Sequence, residues 1–154
     1  MLIKEERTGL NHSVRIEPIE DADFKRIDAQ RYWFSWRKEK KFSIWKLTIE
    51  GTDDILGLMS LNFIEEEKRV EIRLLACSRE NVGKGKIFSG IAGCLIAYAC
   101  RQAILQYPDA PCVSLVPKTR LRQYYINRYG MIDAGLSLCL LEVGLINIIT
   151  KYNL

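Results

Sequence analysis

The residues best suited to chemistry lie between Val70 and Gln106, where a strand pattern, a glycine-bearing turn and a long apolar helix pattern follow one another. Gly83 and Gly85 let the backbone turn tightly and approach a ligand closely. A helix after such a turn offers unpaired N–H groups and the positive end of its dipole to an anion. Lys84 and Lys86 add positive charge. Together these features suggest a pyrophosphate cradle, with a plain glycine-rich turn as the alternative that this segment leaves open. The P-loop pattern G-x-x-x-x-G-K-[ST] is absent, because Ile87 follows Lys86, and so is G-x-G-x-x-G. Other reactive types are sparse. His12 is the single histidine and is expected in a polar tail, which excludes Ser-His-Asp, Cys-His and histidine-metal sites. Cys77, Cys94, Cys100, Cys112 and Cys139 share no metal-ligand spacing, and no metal is expected. Cys77 has no identifiable base or activating charge, which argues against a nucleophilic cysteine.

The elements that must position these residues form one α+β pattern. Ser13 to Pro18 alternates like a short strand, and an acidic entry at Glu20-Asp21-Ala22-Asp23 opens a short helix to about Arg31. An aromatic cluster, Tyr32-Trp33-Phe34-Ser35-Trp36, and the basic run Arg37 to Lys41 come next. Phe42 to Glu50, Ile55 to Ile64 and Val70 to Cys77 are strand patterns joined by short polar turns, as in an antiparallel meander. Ile87 to Gln106 keeps helical spacing with Arg101 as its one charge, so that helix is buried on more than one side. Cys112 to Val116 reads as a strand, Thr119 to Tyr129 as a basic helix stopped by Gly130, and Ser137 to Glu142 as a further strand. Val143 to Tyr152 is ambiguous: β-branched residues favour a strand, but Leu145, Ile149 and Tyr152 keep helical spacing, and helix is preferred. The order β-α-β-β-β-α-β-α-β describes a mostly antiparallel sheet flanked by helices.

Composition bounds the reading further. A chain of 154 residues is expected to form one domain, residues 1–154, with a single core. The net charge of +4 suits an anionic ligand but is too weak to imply nucleic acid by itself. An odd number of cysteines, four of them in apolar runs, points to free thiols in a reducing compartment. The opening MLIKEERTGLNHS lacks the apolar stretch of a signal peptide, and the longest uncharged run, Ile87 to Cys100, is short of the roughly 20 residues that span a bilayer. A cytoplasmic protein without a membrane segment is expected.

Three stretches carry a specific resemblance. Val70-Glu71-Ile72-Arg73-Leu74-Leu75-Ala76-Cys77-Ser78-Arg79-Glu80-Asn81-Val82-Gly83-Lys84-Gly85-Lys86 resembles the fourth strand and acyl-CoA loop, [QR]-x-x-G-x-[GA], of GNAT N-acetyltransferases. Leu121 to Met131 is similar to the family's helix that ends in a tyrosine followed by Gly-Phe, and Ile55 to Leu61 to its third strand. The match covers roughly half the chain in the right order. Two registers compete at the loop. One sets Glu80 at the [QR] position; the other, better spaced against the lead-in Ser78-Arg79-Glu80-Asn81, sets Val82 there and is preferred.

The resemblance implies a GNAT-like fold and direct transfer of acetyl from acetyl-CoA to a primary amine. It assigns the pyrophosphate to Val82, Gly83, Lys84, Gly85, Lys86 and Ile87, and the pantetheine arm and thioester to backbone groups of Leu75, Ala76 and Cys77. Tyr125 matches the tyrosine that protonates the departing CoA thiolate, with neighbouring Tyr124 still open. Glu71 can accept the amine's proton through a water if its face lines the cleft; otherwise it is a strand carboxylate paired with Arg73. The aromatic cluster either contributes to the acceptor pocket or belongs to the core. Two rival functions are a non-catalytic acyl-CoA-binding domain and a basic nucleic-acid-binding module built on Lys118, Arg120, Arg122 and Arg128. The latter residues do not share one helical face. An acceptor amine carried on an aminoacyl-tRNA and a homodimer both remain open.

Overall fold

The computed structural model describes Met1–Tyr152; Asn153 and Leu154 lie outside the described residues. Among the described residues, nine strands are hydrogen-bonded in the order β6-β1-β2-β3-β4-β5-β7-β9-β8. They are β1 (Leu2–Glu5), β2 (Asn11–Pro18), β3 (Ser43–Ile49), β4 (Ile55–Ile64), β5 (Arg69–Cys77), β6 (Phe88–Ser89), β7 (Cys112–Leu115), β8 (Ile132–Ala134) and β9 (Ser137–Leu141). The helices are α1 (Ala29–Tyr32), α2 (Ile91–Gln106), α3 (Arg122–Tyr129) and α4 (Val143–Lys151). The ambiguous C-terminal segment is therefore helical: Leu145 and Ile148 are buried, whereas Val143 and Ile146 are exposed. No helix among the described residues is long and apolar enough to cross a membrane.

The chain divides into two compact units, one of Met1–Ser60 with Leu74–Leu95, the other of Leu61–Arg73 with Ile96 onward. In the first unit, β2 pairs antiparallel with β1 and β3, and β1 pairs antiparallel with β6. Its core gathers Phe24, Tyr32, Trp36, Ile44, Leu58 and Ala76. Asp23 fastens a 3-10 turn (Asp21–Lys25) to β3: its carboxylate accepts from Lys46 Nζ at 2.7 Å and from Arg26 Nη2 at 2.7 Å. Gly57 of β4 lies close under α2. A Cβ there would meet Ile91 Cγ2 at 2.7 Å and Leu95 Cδ1 at 3.0 Å, so only hydrogen fits without displacement.

In the second unit, β5 and β7 are parallel through Val70–Ile72 and Val113–Leu115, and β7, β9 and β8 continue antiparallel. Val70, Ile72, Val113, Leu115, Leu138 and Leu140 are buried. They alternate along their strands with the more polar Glu71, Ser114 and Cys139, as a sheet with one apolar face requires.

Several expectations from the sequence need correction. The N-terminal stretch is not a tail: Ile3 is buried, β1 pairs with β2, and β2 begins at Asn11 rather than Ser13. His12 is thus a strand residue bonded to Glu5 at 3.3 Å. The helix expected up to Arg31 is broken into the 3-10 turn and the single turn of α1, and a further 3-10 turn (Trp36–Glu39) follows. The long helix begins at Ile91, not Ile87, because Phe88 and Ser89 are drawn into pairing with Glu5 and Lys4. The basic helix starts at Arg122 after a 3-10 turn, and the β8 strand was not expected.

Candidate acyl-CoA site

Backbone alternation along β5 decides which groups a ligand can reach. The Ser78 N–H donates to the Leu56 carbonyl at 2.9 Å, and the Ala76 carbonyl faces Gly57. Ala76 and Ser78 therefore direct their backbone groups toward β4, and Leu75 and Cys77 direct theirs to the opposite edge. Strand β7 pairs along that edge at Val70–Ile72 only. Past Ile72 the edge of β5 is open among the described strand pairs. Of the three residues assigned to the thioester and pantetheine arm, Leu75 and Cys77 present groups to the open edge, and Ala76 does not.

The glycine loop follows directly, and its base is clamped. Asn81, 5% exposed, donates from Nδ2 to Ser78 Oγ at 2.8 Å and accepts the Phe88 N–H on Oδ1 at 2.8 Å. Backbone bonds from Val82 N–H to Arg79 O at 3.3 Å and from Ile87 N–H to Glu80 O at 3.2 Å close the ring. Those two amides are thus committed. Between them, Lys84–Gly85 form a turn, and the N–H groups of Gly83, Lys84 and Gly85 make no hydrogen bond among the described residues. Gly83 and Gly85 have φ of +77° and +75°, and a Cβ at either would meet nothing within 4 Å. A run of amides on left-handed glycines with open space beside it is an arrangement that binds anions through backbone alone. Lys84 is exposed and Lys86 half-buried. The glycine turn does not lead straight into the helix: β6 and Gly90 intervene before α2, whose first turn sends the Ala92 N–H to the Cys77 thiol. Burial pushes that thiol up to about 11, so it is protonated at neutral pH and no nucleophile.

The structure accounts for the acid at Glu80. Its carboxylate accepts from Arg31 Nη2 at 2.5 Å and Nε at 3.1 Å, and Arg31 also reaches Asp54 at 2.9 Å. Burial raises the Glu80 carboxyl, but the Arg31 bonds outweigh it and hold it below the usual range. Glu80 is a fastener between α1 and the loop, and Val82, the residue of the preferred [QR] register, is exposed. No side-chain donor stands there.

The aromatic cluster divides. Tyr32 and Trp36 are core residues, with Tyr32 Oη donating to the Ile55 carbonyl at 2.8 Å. Trp33 is 40% exposed and adopts φ 75°, ψ −42°. The Phe34 N–H donates to the Tyr32 carbonyl at 2.9 Å, which makes Trp33 the centre of a positive-φ γ-turn, a strained conformation for a non-glycine residue. Its indole Nε1–H donates to the Cys77 carbonyl at 2.9 Å, and Arg79 lies over its ring at 3.9 Å. Nothing in the sequence pattern marks Trp33 out from its neighbours.

Glu71 and Tyr125 both belong to the second unit. Glu71 is cross-strand from Ser114 and lies between two cations, 3.8 Å from Arg69 Nη1 and 3.9 Å from Arg73 Nη1. Arg69 in turn donates to Ser114 Oγ at 2.6 Å. Tyr125, on α3, is half-buried, with ring centroids 6.0 Å from Tyr124 and 5.8 Å from Tyr129. Burial and the neighbouring tyrosines push the Tyr129 hydroxyl far up, so it stays neutral. Tyr124 is 52% exposed. The five cysteines are free thiols, and no group of residues suited to hold a metal occurs among the described residues.

No protein-family model matches the chain, and no curated protein matches its sequence. Solved structures do match. The AtaT mutant toxin, in a structure with acetyl-CoA and the C-terminus of the antitoxin AtaR, is 17% identical, with a TM-score of 0.60 over 90% of this chain and 99% of that one. Mutant forms of the spermidine/spermine N-acetyltransferase SpeG from Vibrio cholerae are 13% identical, with a TM-score of 0.64 over 87% and 96%. Nourseothricin acetyltransferase is 10% identical, with a TM-score of 0.60 over 83% and 98%. The fold is that of the GNAT acetyltransferases.

Proposed function

We propose that the protein is an acetyl-CoA-dependent N-acetyltransferase that moves acetyl directly to a primary amine. The observation that carries this reading is the open edge of β5 past Ile72, running into a clamped loop whose amides at Gly83 to Gly85 are uncommitted. The likeness to acetyltransferases, one of them in a structure with acetyl-CoA, supports the same ligand. The pyrophosphate rests on the loop amides. A backbone N–H of Leu75 or Cys77 donates to the thioester oxygen, where negative charge develops as the amine adds. The amine nitrogen bonds to the thioester carbon, the C–S bond breaks, and the CoA sulfur takes a proton, the role that the resemblance gives to Tyr125. The amine's own proton leaves through water to a carboxylate, the role proposed for Glu71. No acyl-enzyme forms, in keeping with the protonated Cys77 thiol.

A thiol-release assay with acetyl-CoA over polyamines, amino acids, aminoglycosides, peptides and aminoacyl-tRNA tests the reaction. Amine-dependent release of free CoA with at least one acceptor class is the expected result. Binding of CoA with no release from any amine would instead support a non-catalytic acyl-CoA-binding domain, to which the valine at the [QR] position would be suited.

A further inference from the structure

The Cys77 carbonyl, on the open edge of β5, already has a donor: the Trp33 indole N–H at 2.9 Å. An indole N–H and an amide N–H are chemically alike as donors, each offering one hydrogen to one carbonyl oxygen. An acyl-CoA laid along this edge brings the amides of its pantetheine arm to the same row of backbone groups. Resting on the acyl-CoA reading, we infer that Trp33 is a displaceable cap that holds the hydrogen-bonding place on Cys77 until the pantetheine arm takes it.

Three features distinguish Trp33 from a structural tryptophan. It is 40% exposed, whereas Tyr32 and Trp36 beside it are 1% and 2% exposed, so its ring can leave without opening the core. Its backbone sits at φ 75° in a γ-turn, a conformation that a non-glycine residue keeps only under outside constraint. Its ring is pinned by one hydrogen bond and by Arg79, whose guanidinium lies 3.9 Å above it and is itself held by the Gln30 carbonyl. The constraint is made by the end of β5 at Cys77, the lead-in to the glycine loop at Arg79 and α1 at Gln30. A cap of this kind lowers the apparent affinity for acyl-CoA, because the ligand must first displace a donor from the carbonyl it uses.

Titration calorimetry on wild type, Trp33→Phe and Arg79→Gln, with acetyl-CoA and with adenosine 3′,5′-bisphosphate, tests the cap. Trp33→Phe keeps the ring and loses the N–H. It is expected to bind acetyl-CoA about 3- to 10-fold more tightly, the equivalent of one net hydrogen bond. Arg79→Gln unpins the ring and is expected to tighten binding in the same direction. The bisphosphate has no pantetheine arm, so its affinity should be unchanged in Trp33→Phe. Equal or weaker acetyl-CoA binding by Trp33→Phe overturns the cap, as does tightening that extends equally to the bisphosphate. Should Trp33→Phe fail to fold, Arg79→Gln decides, and an unchanged affinity there overturns the cap. A wild type that binds neither ligand removes the acyl-CoA reading itself, and the cap with it.

Discussion

Replacing Asn81 with alanine removes both side-chain ties at the base of the glycine loop. The Phe88 N–H loses its acceptor at 2.8 Å, and the fully buried Ser78 hydroxyl loses its donor at 2.8 Å. A part-buried amide left without a partner costs about 1–3 kcal/mol, and the lost bond to Ser78 adds about 1 kcal/mol, for a total of about 2–4 kcal/mol. At about 2–4 °C per kcal/mol for a domain of this size, the melting temperature should fall by about 5–15 °C. Calorimetry of the ligand-free protein measures this directly. Asn81→Asp keeps the acceptor for Phe88 and loses the donor to Ser78, so it should lose less. Acetyl-CoA affinity should fall in Asn81→Ala as well, because an unclamped loop must be ordered when the ligand binds. A melting temperature within about 2 °C of wild type would refute the clamp, since losing both bonds should cost more than that.

Gly57→Ala places a methyl 2.7 Å from Ile91 Cγ2 and should destabilise the fold by about 1–3 kcal/mol in urea titrations, with part of the loss recovered by Ile91→Leu, which lacks that branching methyl. Tyr125→Phe should lower kcat by about 10- to 1000-fold with little change in acetyl-CoA binding, and Tyr124→Phe, at the exposed neighbouring position, should do far less; full turnover in both would mean that the thiolate leaves without a tyrosine acid. For Asp23, burial raises the carboxyl, but the bonds from Lys46 and Arg26 outweigh it and hold it below its ordinary value. Its contribution to stability is therefore complete above the ordinary value of about 3.9 and is lost as the pH falls through the depressed one, so Asp23→Asn should be less stable at neutral pH and flatten the acid limb of the stability–pH curve.

The meander of β3, β4 and β5 was legible because strand alternation and short polar turns are local signals, and the buried α2 because apolar spacing persists over sixteen residues. The order of elements sufficed for the fold. What was hidden depends on residues far apart in sequence. Phe88 and Ser89 read as the start of a helix until Lys4 and Glu5 pair with them. Leu2 to Glu5 is too short a run to show alternation by itself. Nothing in the sequence pairs Glu80 with its partner Arg31, forty-nine positions away. At the candidate site, Gly83 and Gly85 were readable from residue type alone, since left-handed backbone favours glycine. Asn81 lies in the lead-in Ser78-Arg79-Glu80-Asn81, but its role as a clamp shows only when Ser78 and Phe88 stand at its two ends. Trp33 could not be separated from Tyr32 and Trp36, because a positive φ at a tryptophan has no sequence signature.

The central claim is that the loop from Gly83 to Lys86 and the open edge of β5 bind acetyl-CoA, and its most direct test is the melting temperature with and without that ligand. A ligand that binds only the native state at 100 times its Kd adds about 2.7 kcal/mol, which for this chain is a rise of roughly 5–10 °C. Wild type should show that rise with acetyl-CoA. Gly83→Val and Gly85→Val, which force a β-branched residue into φ near +75° and fill the open space beside the amides, should lose it. A wild-type melting curve unmoved by millimolar acetyl-CoA, or an undiminished shift in the double valine variant, would contradict the claim.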